Sequence, residues 1–260
     1  MATTVSSGPM TAVRRVDTDR PWVWLERGWA DMRANPVPSV AFGLLLALAG
    51  WLLTFGLFWL GMGYLILPLA GGFFILAPAL ATSLYEISRE RAKGREIGLI
   101  EATAIAFRGH SQILLMGVVL LLCHIAWAQI ASLTFMLYFG ADPPPLQNLF
   151  AATFLDPANL AFTVFGTGLG AILAFGVFSI SAIGIPMLLD RGDASVADAI
   201  LTSMEAVRVN PAAMLLWAAL IAGFTAGGLA LFYLGLAVTL PLVAHATWHA
   251  YADLTKGDPG

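Results

Sequence analysis

The sequence predicts an all-α polytopic membrane protein with six transmembrane helices, arranged as three tandem helical hairpins. Two observations predict the class: 59% of the 260 residues are hydrophobic, and only 11% are charged. A soluble domain usually has about 25% charged residues, so this chain has too few polar side chains to cover a water-facing surface. A third observation, a motif repeated at the start of two apolar runs, predicts the hairpins.

Six apolar segments are the predicted membrane spans. A helix that crosses the hydrocarbon core, which is about 30 Å thick, needs roughly 20 apolar residues. The last apolar stretch, 212–251, is too long for one span, so we expect two shorter spans with a break near Gly227-Gly228. The other four predicted spans cover residues 37–60, 64–85, 112–139 and 160–189.

The cations lie on one side of these spans. All 13 Lys and Arg residues precede span one, lie between spans two and three or four and five, or follow span six. The opposite loops contain only Asp142 and Asp156 as charged residues. The positive-inside rule therefore predicts a multi-pass membrane protein with both termini in the cytoplasm. The small net charge of −3 disfavours nucleic acid as a partner, because nucleic-acid binding needs a concentrated basic surface.

A repeated pattern divides the predicted spans into three hairpins. The sequence Arg-Ala-Asn-Pro ends at Pro36 before span one, and Arg-Val-Asn-Pro ends at Pro211 before span five. Asn is a good N-cap and Pro is favoured in the first helical turn, so each motif starts a helix. Each hairpin is preceded by an amphipathic segment, which we expect to lie as a cytoplasmic interfacial helix, over residues 22–32, 97–107 and 196–207.

The expected organisation is a single six-helix membrane domain over residues 21–256, with repeats of about 21–94, 95–193 and 194–257. We expect a disordered cytoplasmic N-terminus over residues 1–20 and a tail over residues 257–260. Ser195 and Asp198 form a possible capping box at the start of the third interfacial helix. The alternative to a repeat is that Asn and Pro recur at helix starts by chance.

Polar side chains within the predicted spans are the candidate functional residues, because such side chains are costly in a membrane. His124 lies near the middle of span three, and His245 and His249 share one face of span six. The repeat alignment matches His245 with Thr82 and Asp190, which would bring three polar groups towards a pseudo-threefold axis. The alternative for each histidine is a structural hydrogen bond. The candidate polar intramembrane cluster comprises His124, Gln129, Asp190, His245 and His249.

Two small-residue motifs are predicted to mediate helix packing. Gly166 with Gly170 and Gly223 with Gly227 each form GxxxG, which allows two helices to approach closely within the chain or between chains.

The sequence predicts no haem or metal cofactor. Two histidine donors on one helix, with no neighbouring acid or thiol, make an incomplete metal site, and a haem also needs an apolar slot. A phosphate-binding loop, a zinc motif and a Ser-His-Asp arrangement are all missing from the sequence. We therefore assign no catalytic residue and expect no enzymatic activity.

Three motifs resemble a known family. They are the Trp-Leu-x-x-Gly-Trp-x-Asp pattern ending at Asp31, the Asn35-Pro36 pair, and the His-Ala-Thr-Trp-His-Ala-Tyr sequence ending at Tyr251. Over roughly 21–256, the chain resembles a bacterial integral-membrane family, domain of unknown function 2189. The resemblance implies a location in the bacterial inner membrane but supplies no catalytic residue.

Some relatives in that family are labelled as cytochrome c oxidase subunits. A catalytic haem–copper subunit needs histidine ligands for its haems and its copper, but this chain has only four histidines, and His110 precedes span three. We therefore expect a non-catalytic membrane protein, either an accessory or assembly partner of a membrane complex such as a respiratory one, or a small permease or lipid-handling channel with a pseudo-threefold cavity. The expected partners are the lipid bilayer and other membrane proteins.

The predicted topology can be tested by cysteine labelling. A thiol reagent that stays in the periplasm should label a cysteine placed at Ala141, because the topology puts that loop outside. The same reagent should not label a cysteine placed at Ala92, which the topology puts in the cytoplasm. The reverse labelling pattern would overturn the predicted orientation.

Overall fold

The described residues form a bundle of eleven α-helices. The structure, a computed structural model, describes residues 12–108, 111–140, 144 and 151–256, and it contains no β-strand in these ranges. Short 3₁₀ turns at Gly63–Leu65 and Pro157–Asn159 and a π-type turn at Ala151–Leu155 precede some of the long helices. The helices are α1 (Arg20–Ala34), α2 (Pro36–Trp59), α3 (Ile66–Leu80), α4 (Thr82–Ala92), α5 (Leu99–Phe107), α6 (Ser111–Phe139), α7 (Leu160–Ser181), α8 (Gly184–Asp190), α9 (Val196–Val209), α10 (Pro211–Ala230) and α11 (Leu236–Thr255).

Four segments of the described chain are long and apolar enough to cross a membrane. They are α2, α6, α10 and the stretch Pro157–Asp190, which contains α7 and α8. These segments match predicted spans one, three, five and four. The predicted second span is divided at Ala81 between α3 and α4, and α3 has only 15 residues. The predicted sixth span, α11, contains two histidines and an aspartate. The six-span arrangement therefore stays a prediction.

The chain turns between α10 and α11 at residues 231–235, several residues after the break predicted near Gly227-Gly228. Gly228 lies inside α10, and a Cβ placed there would be 2.5 Å from the Thr239 hydroxyl oxygen. The predicted position was wrong because this glycine allows α10 to approach α11 closely rather than to turn. The turn itself contains two residues with positive φ, Phe232 at 50° and Tyr233 at 64°.

Three shorter helices coincide with the predicted interfacial segments. They are α1, α5 and α9, and α9 begins with the predicted capping box. The Ser195 hydroxyl accepts a hydrogen bond from the Asp198 N–H, and the Asp198 carboxylate accepts one from the Ser195 N–H. Each short helix packs on a helix outside its own predicted hairpin: α1 on α11, α5 on α4, and α9 on α7 and α8.

Asn35 and Asn210 form two matching corners between a short and a long helix. Their φ and ψ angles are −123° and 61° for Asn35 and −125° and 53° for Asn210. Proline follows each asparagine and starts the next helix, as the motif predicts. Asn210 also accepts a hydrogen bond from the Val16 N–H at 2.8 Å and donates one to the Arg14 carbonyl at 2.9 Å. Part of the predicted disordered segment 1–20 therefore makes defined contacts with the bundle.

Two tryptophans join α1 to the last two helices. The Trp24 and Trp217 rings are fully buried and meet edge to face, with centroids 5.7 Å apart and an interplanar angle of 88°. The Trp24 indole N–H donates to the Asp253 carboxylate at 2.8 Å, and Arg20 binds the same carboxylate oxygen at 2.8 Å. Edge-to-face aromatic pairs contribute about 0.5–1.5 kcal/mol beyond their buried area, so this contact helps to fix the N-terminal helix on α10 and α11.

Helix α2 offers a matched pair of glycines that tests its packing on α11. A Cβ at Gly43 would lie 2.5 Å from the Ala237 Cα, whereas a Cβ at Gly56 would meet no atom within 4 Å. We expect Gly43→Ala to destabilise the protein by about 1–3 kcal/mol through overpacking. Gly56→Ala should be neutral or stabilising by up to about 1 kcal/mol, because alanine favours the helix.

Unfolding of both variants in the same detergent measures this difference. Equal stabilities for Gly43→Ala and Gly56→Ala would contradict the close approach of α2 to α11.

Candidate functional site

His245 and His249 lie in a buried polar network that joins α1, α2, α4 and α11. His245 is fully buried, with its Nδ1 2.8 Å from Ser88 Oγ and its Nε2 2.9 Å from Ser39 Oγ. His249 Nε2 donates to the Asp31 carboxylate at 2.8 Å. Ser88 Oγ donates to the same oxygen of Asp31 at 2.6 Å. The two histidines are therefore connected to each other through Asp31 and Ser88.

Asp31 is the acid at the centre of this network, and it corrects the expectation that no acid neighbours the histidine pair. Its other carboxylate oxygen lies 3.0 Å from Arg91 Nε, so three side chains bind this one carboxylate. Burial raises the pKa of Asp31, but the hydrogen bond and charge of His249, with smaller effects of Ser88 and His245, outweigh burial and hold this pKa below its usual value. Asp31 is therefore a buried anion at neutral pH.

The hydrogen bonds define the position of the proton on one side of the His245 ring. Ser88 gives its single hydroxyl proton to the Asp31 carboxylate, so Ser88 Oγ accepts the proton of His245 Nδ1. On the other side of the ring, the Ser39 hydroxyl donates to the Asn35 carbonyl at 2.6 Å, and its oxygen also lies 2.9 Å from His245 Nε2. No group of three or more His, Cys, Asp or Glu residues in the described chain is arranged to hold a metal, and the absence of a metal cofactor stays a prediction.

Asp190 belongs to a second ionic cluster, which joins α4, α8 and α11. Its carboxylate lies 2.6 Å from Lys256 Nζ, accepts a hydrogen bond from the Tyr251 hydroxyl at 2.8 Å, and lies 3.5 Å from Arg89 Nε. Lys256 also lies over the Tyr251 ring, 5.6 Å from its centroid. Asp190 and His245 occupy matching positions in the repeat alignment. In the described chain, however, their hydrogen bonds are to different residues. Asp190 instead anchors the C-terminal end of α11 to its neighbours.

His124 joins α6 to α3. Its Nδ1 donates to the Gly72 carbonyl at 3.0 Å, and a Cβ at Gly72 would collide with the imidazole ring. The Trp127 indole N–H donates to the Pro68 carbonyl at 2.8 Å, one turn away along both helices. The remaining candidate, Gln129, is exposed on α6. Of the five predicted polar residues, the structure therefore brings together only His245 and His249, and the other three lie in separate environments.

The predicted glycine motifs also differ in their surroundings. A Cβ at Gly170 would lie 3.0 Å from the Trp127 ring of α6, so this glycine makes room for the indole. Gly166 meets only Phe162 of its own helix. A Cβ at Gly223 or Gly227 would meet no atom within 4 Å, so this face of α10 is open in the described chain.

A cavity of about 510 Å³ lies between α3, α6 and α7, and the Trp127 side chain is part of its lining. Its lining is almost entirely apolar and contains no charged residue among the described side chains. Phe135 and Phe162 form one wall, where their rings meet edge to face with centroids 6.1 Å apart. Gly166, Gly170 and Ala174 form a wall of small residues on α7. Cavities of about 300–1,000 Å³ are typical of sites for small molecules.

The cavity borders an irregularity in the helix packing. α2 packs on α11, and α6 packs on α3. In both pairs, the first long helix of one predicted hairpin contacts the second long helix of a different hairpin. α10 packs mainly on α11 and makes no comparable contact with α7 in the described chain. Ala222 of α10 contributes to the cavity lining, so the cavity lies beside this missing helix contact.

Several residues of both regions were missed by sequence reasoning. Asp31 is the last residue of the Trp-Leu-x-x-Gly-Trp-x-Asp motif, yet its place on an amphipathic helix is typical of a solvated charge. Ser39 and Ser88 carry no distinctive spacing. Thr153 also lines the cavity and is 1% exposed, but it lies in a loop sequence without any recognisable pattern. The Asp31 motif was the one usable signal.

These features define the protein as a multi-helical integral membrane protein with several apolar helices. Residues 66–190 match the model of the family described as predicted integral membrane protein (DUF2189), which is the family that the sequence motifs resemble. The motifs ending at Asp31 and Tyr251 lie outside the matched residues. Searches of curated proteins and of solved structures returned no significant match.

Acid should weaken the Asp31 network. The pKa of Asp31 is lowered on folding, so its ionised form stabilises the protein above the ordinary value of about 3.9, and this stabilisation is lost as the pH falls through the folded-state pKa. At pH 7 we expect Asp31→Asn to cost about 2 kcal/mol, because hydrogen bonds to a charged partner are lost. This difference from the wild type should shrink as the pH falls below about 4.

Thermal unfolding in detergent over a range of pH measures the difference. Asp17→Asn is the matched control, because Asp17 is exposed. A difference between wild type and Asp31→Asn that stays constant with pH would contradict the role of the ionised carboxylate.

Proposed function

We propose that the protein binds a lipid in the cavity between α3, α6 and α7, and that it acts without catalysis. The observation that carries the proposal is the apolar lining of a cavity of about 510 Å³ in a membrane protein. A charged or strongly polar solute would lose its hydration there without gaining a charged partner, which is costly. An acyl or isoprenoid chain would lose contact only with other lipids. The lining therefore favours a lipid-handling protein over a permease for polar solutes.

The walls of the cavity support the same proposal. On one side, the Trp127 indole is fixed by its hydrogen bond to Pro68, and Phe135 and Phe162 pack against each other. On the other side, the small residues of α7 leave room for a chain to enter beside α10. A fixed aromatic wall combined with a wall of small residues suits a long, narrow apolar ligand. Most of the cavity would be present before the ligand binds, which lowers the entropic cost of binding.

The proposal includes the predicted topology of six spans, with both termini in the cytoplasm of a bacterial cell and three parallel hairpins. The cyclic packing of α1 on α11, α5 on α4, and α9 on α7 and α8 supports the repeat, because each short helix contacts the hairpin that precedes its own in a closed ring. The matching angles of Asn35 and Asn210 support it at the level of the backbone. In this topology α3 and α4 together, and α11, form spans two and six, with the ionic clusters at the cytoplasmic end.

A second candidate function is that of an accessory or assembly partner of a membrane complex. The open face of α10 at Gly223 and Gly227 favours it, because small residues allow another helix to approach closely in a bilayer. Purification from the native membrane in a mild detergent, with mass spectrometry and an absorption spectrum for haem, tests this function. A stable partner that is lost on Gly223→Leu, with lipid binding retained, would support it.

Filling the cavity should remove the bound lipid. Ala131 lines the cavity on α6, whereas Ala126 is exposed on the same helix and is not part of the lining. We expect Ala131→Phe to lower the amount of lipid that co-purifies with the protein several-fold, because the new ring occupies the space of the chain. Ala126→Phe should retain the wild-type amount.

Quantitative mass spectrometry of lipid per protein, after delipidating washes, measures this effect. The unfolding temperature of each variant establishes that it is folded. If folded Ala131→Phe keeps as much lipid as Ala126→Phe, the cavity is not the binding site.

A further inference from the structure

We infer that the lipid held in the cavity is uncharged, and that its polar end accepts a hydrogen bond from Thr153. This inference rests on the proposed function, because it names the class of lipid for the same cavity. Thr153 lies in the π-type turn before α7 and lines the cavity. Its side chain is buried, and its hydroxyl has no hydrogen-bond partner among the described residues.

The unpartnered hydroxyl indicates a polar ligand atom. Leaving a buried hydroxyl without a partner costs about 1–3 kcal/mol, so buried polar groups normally find one. The Thr153 backbone carbonyl already accepts a hydrogen bond from the Thr163 hydroxyl at 3.1 Å, which ties this turn to α7. A carbonyl or hydroxyl oxygen of a ligand in the cavity would complete the hydrogen bonding of Thr153.

The other polar groups around the cavity are uncharged. The polar side chains in the lining are hydroxyls, including those of Ser132, Thr134 and Thr167, together with the Trp127 indole, which already donates to Pro68. Thr134 also donates to a carbonyl of its own helix, that of Ile130, at 2.8 Å. None of these groups can neutralise a phosphate.

The sequence around the cavity contains no cation that could take that role. The lining residues all lie in stretches 34–88, 109–190 and 209–255, and none of these stretches contains a Lys or an Arg. A charged head group drawn to the buried Thr153 would lose its hydration without a counter-charge. A lipid whose polar end reaches Thr153 must therefore be neutral, such as a diacylglycerol, which has ester carbonyls and a free hydroxyl.

Fluorescence quenching by brominated lipids tests this inference, because Trp127 lines the cavity. The full-length protein is reconstituted into phosphatidylcholine vesicles that contain dibrominated diacylglycerol or dibrominated phosphatidylglycerol with the same acyl chains. The Trp127 signal is the difference between the wild type and Trp127→Phe. We expect half-maximal quenching of this signal at a several-fold lower mole fraction of diacylglycerol than of phosphatidylglycerol.

Variants at Thr153 test the hydrogen bond itself. Thr153→Val keeps the shape of the side chain but lacks the hydroxyl, so it should lose the preference for diacylglycerol, whereas Thr153→Ser should keep it. Equal quenching by both lipids in the wild type, or an unchanged preference in Thr153→Val, would overturn the inference while leaving lipid binding intact. If neither lipid quenched the Trp127 signal, the proposed function itself would fail.

Discussion

The carboxylate of Asp31 is the point on which one end of the bundle depends. It lies on α1 and receives hydrogen bonds or charge contacts from Ser88 and Arg91 of α4 and from His249 of α11. Removing one buried carboxylate would therefore leave groups of two other helices without a partner. The loss of folding free energy would exceed the net contribution of any single hydrogen bond to Asp31, because the groups that remain stay buried without their partner. The first and the last helices of the chain are held together by this constraint.

The ionic contacts and the cavity involve different sets of helices. Around Asp31, Asp190 and Asp253, ionic and hydrogen-bonded contacts fix the order in which the helices meet. The helices α3, α6 and α7 instead leave a cavity with an almost entirely apolar lining. Fixing the helices by these contacts allows imperfect packing at the cavity without loss of the fold. A lipid that fills the cavity would restore the missing dispersion contacts.

The sequence was sufficient for the features that depend on short-range physics. Helix starts at Asn35-Pro36, Asn210-Pro211 and Ser195 follow from capping, and the four long apolar helices follow from composition. The predicted break between the last two helices was misplaced. The sequence alone does not distinguish a glycine that forms a turn from a glycine that allows two helices to approach closely, as Gly228 does.

The candidate site was predictable only in part, because its residues come from distant segments. His245 and His249 were recognised from their rarity in apolar sequence, but their partners Asp31 and Ser88 lie 218 and 157 positions away. The cavity was less predictable still, since it lies where α7 and α10 do not pack closely on each other. No single residue encodes such a gap. The expected polar cluster on a pseudo-threefold axis required matched positions of the repeats to carry similar side chains. Asp190 and His245 occupy matched positions, but they differ in chemistry and bind different partners.

A high-resolution structure of the purified protein in lipid nanodiscs would show directly whether charged contacts hold the helices around Asp31 while the cavity between α3, α6 and α7 binds lipid. We expect elongated density for an apolar chain between Trp127, Phe162 and the small residues of α7, with its polar end at Thr153. Side chains that close this space, with α7 packed directly on α10 and no density for lipid, would contradict this expectation.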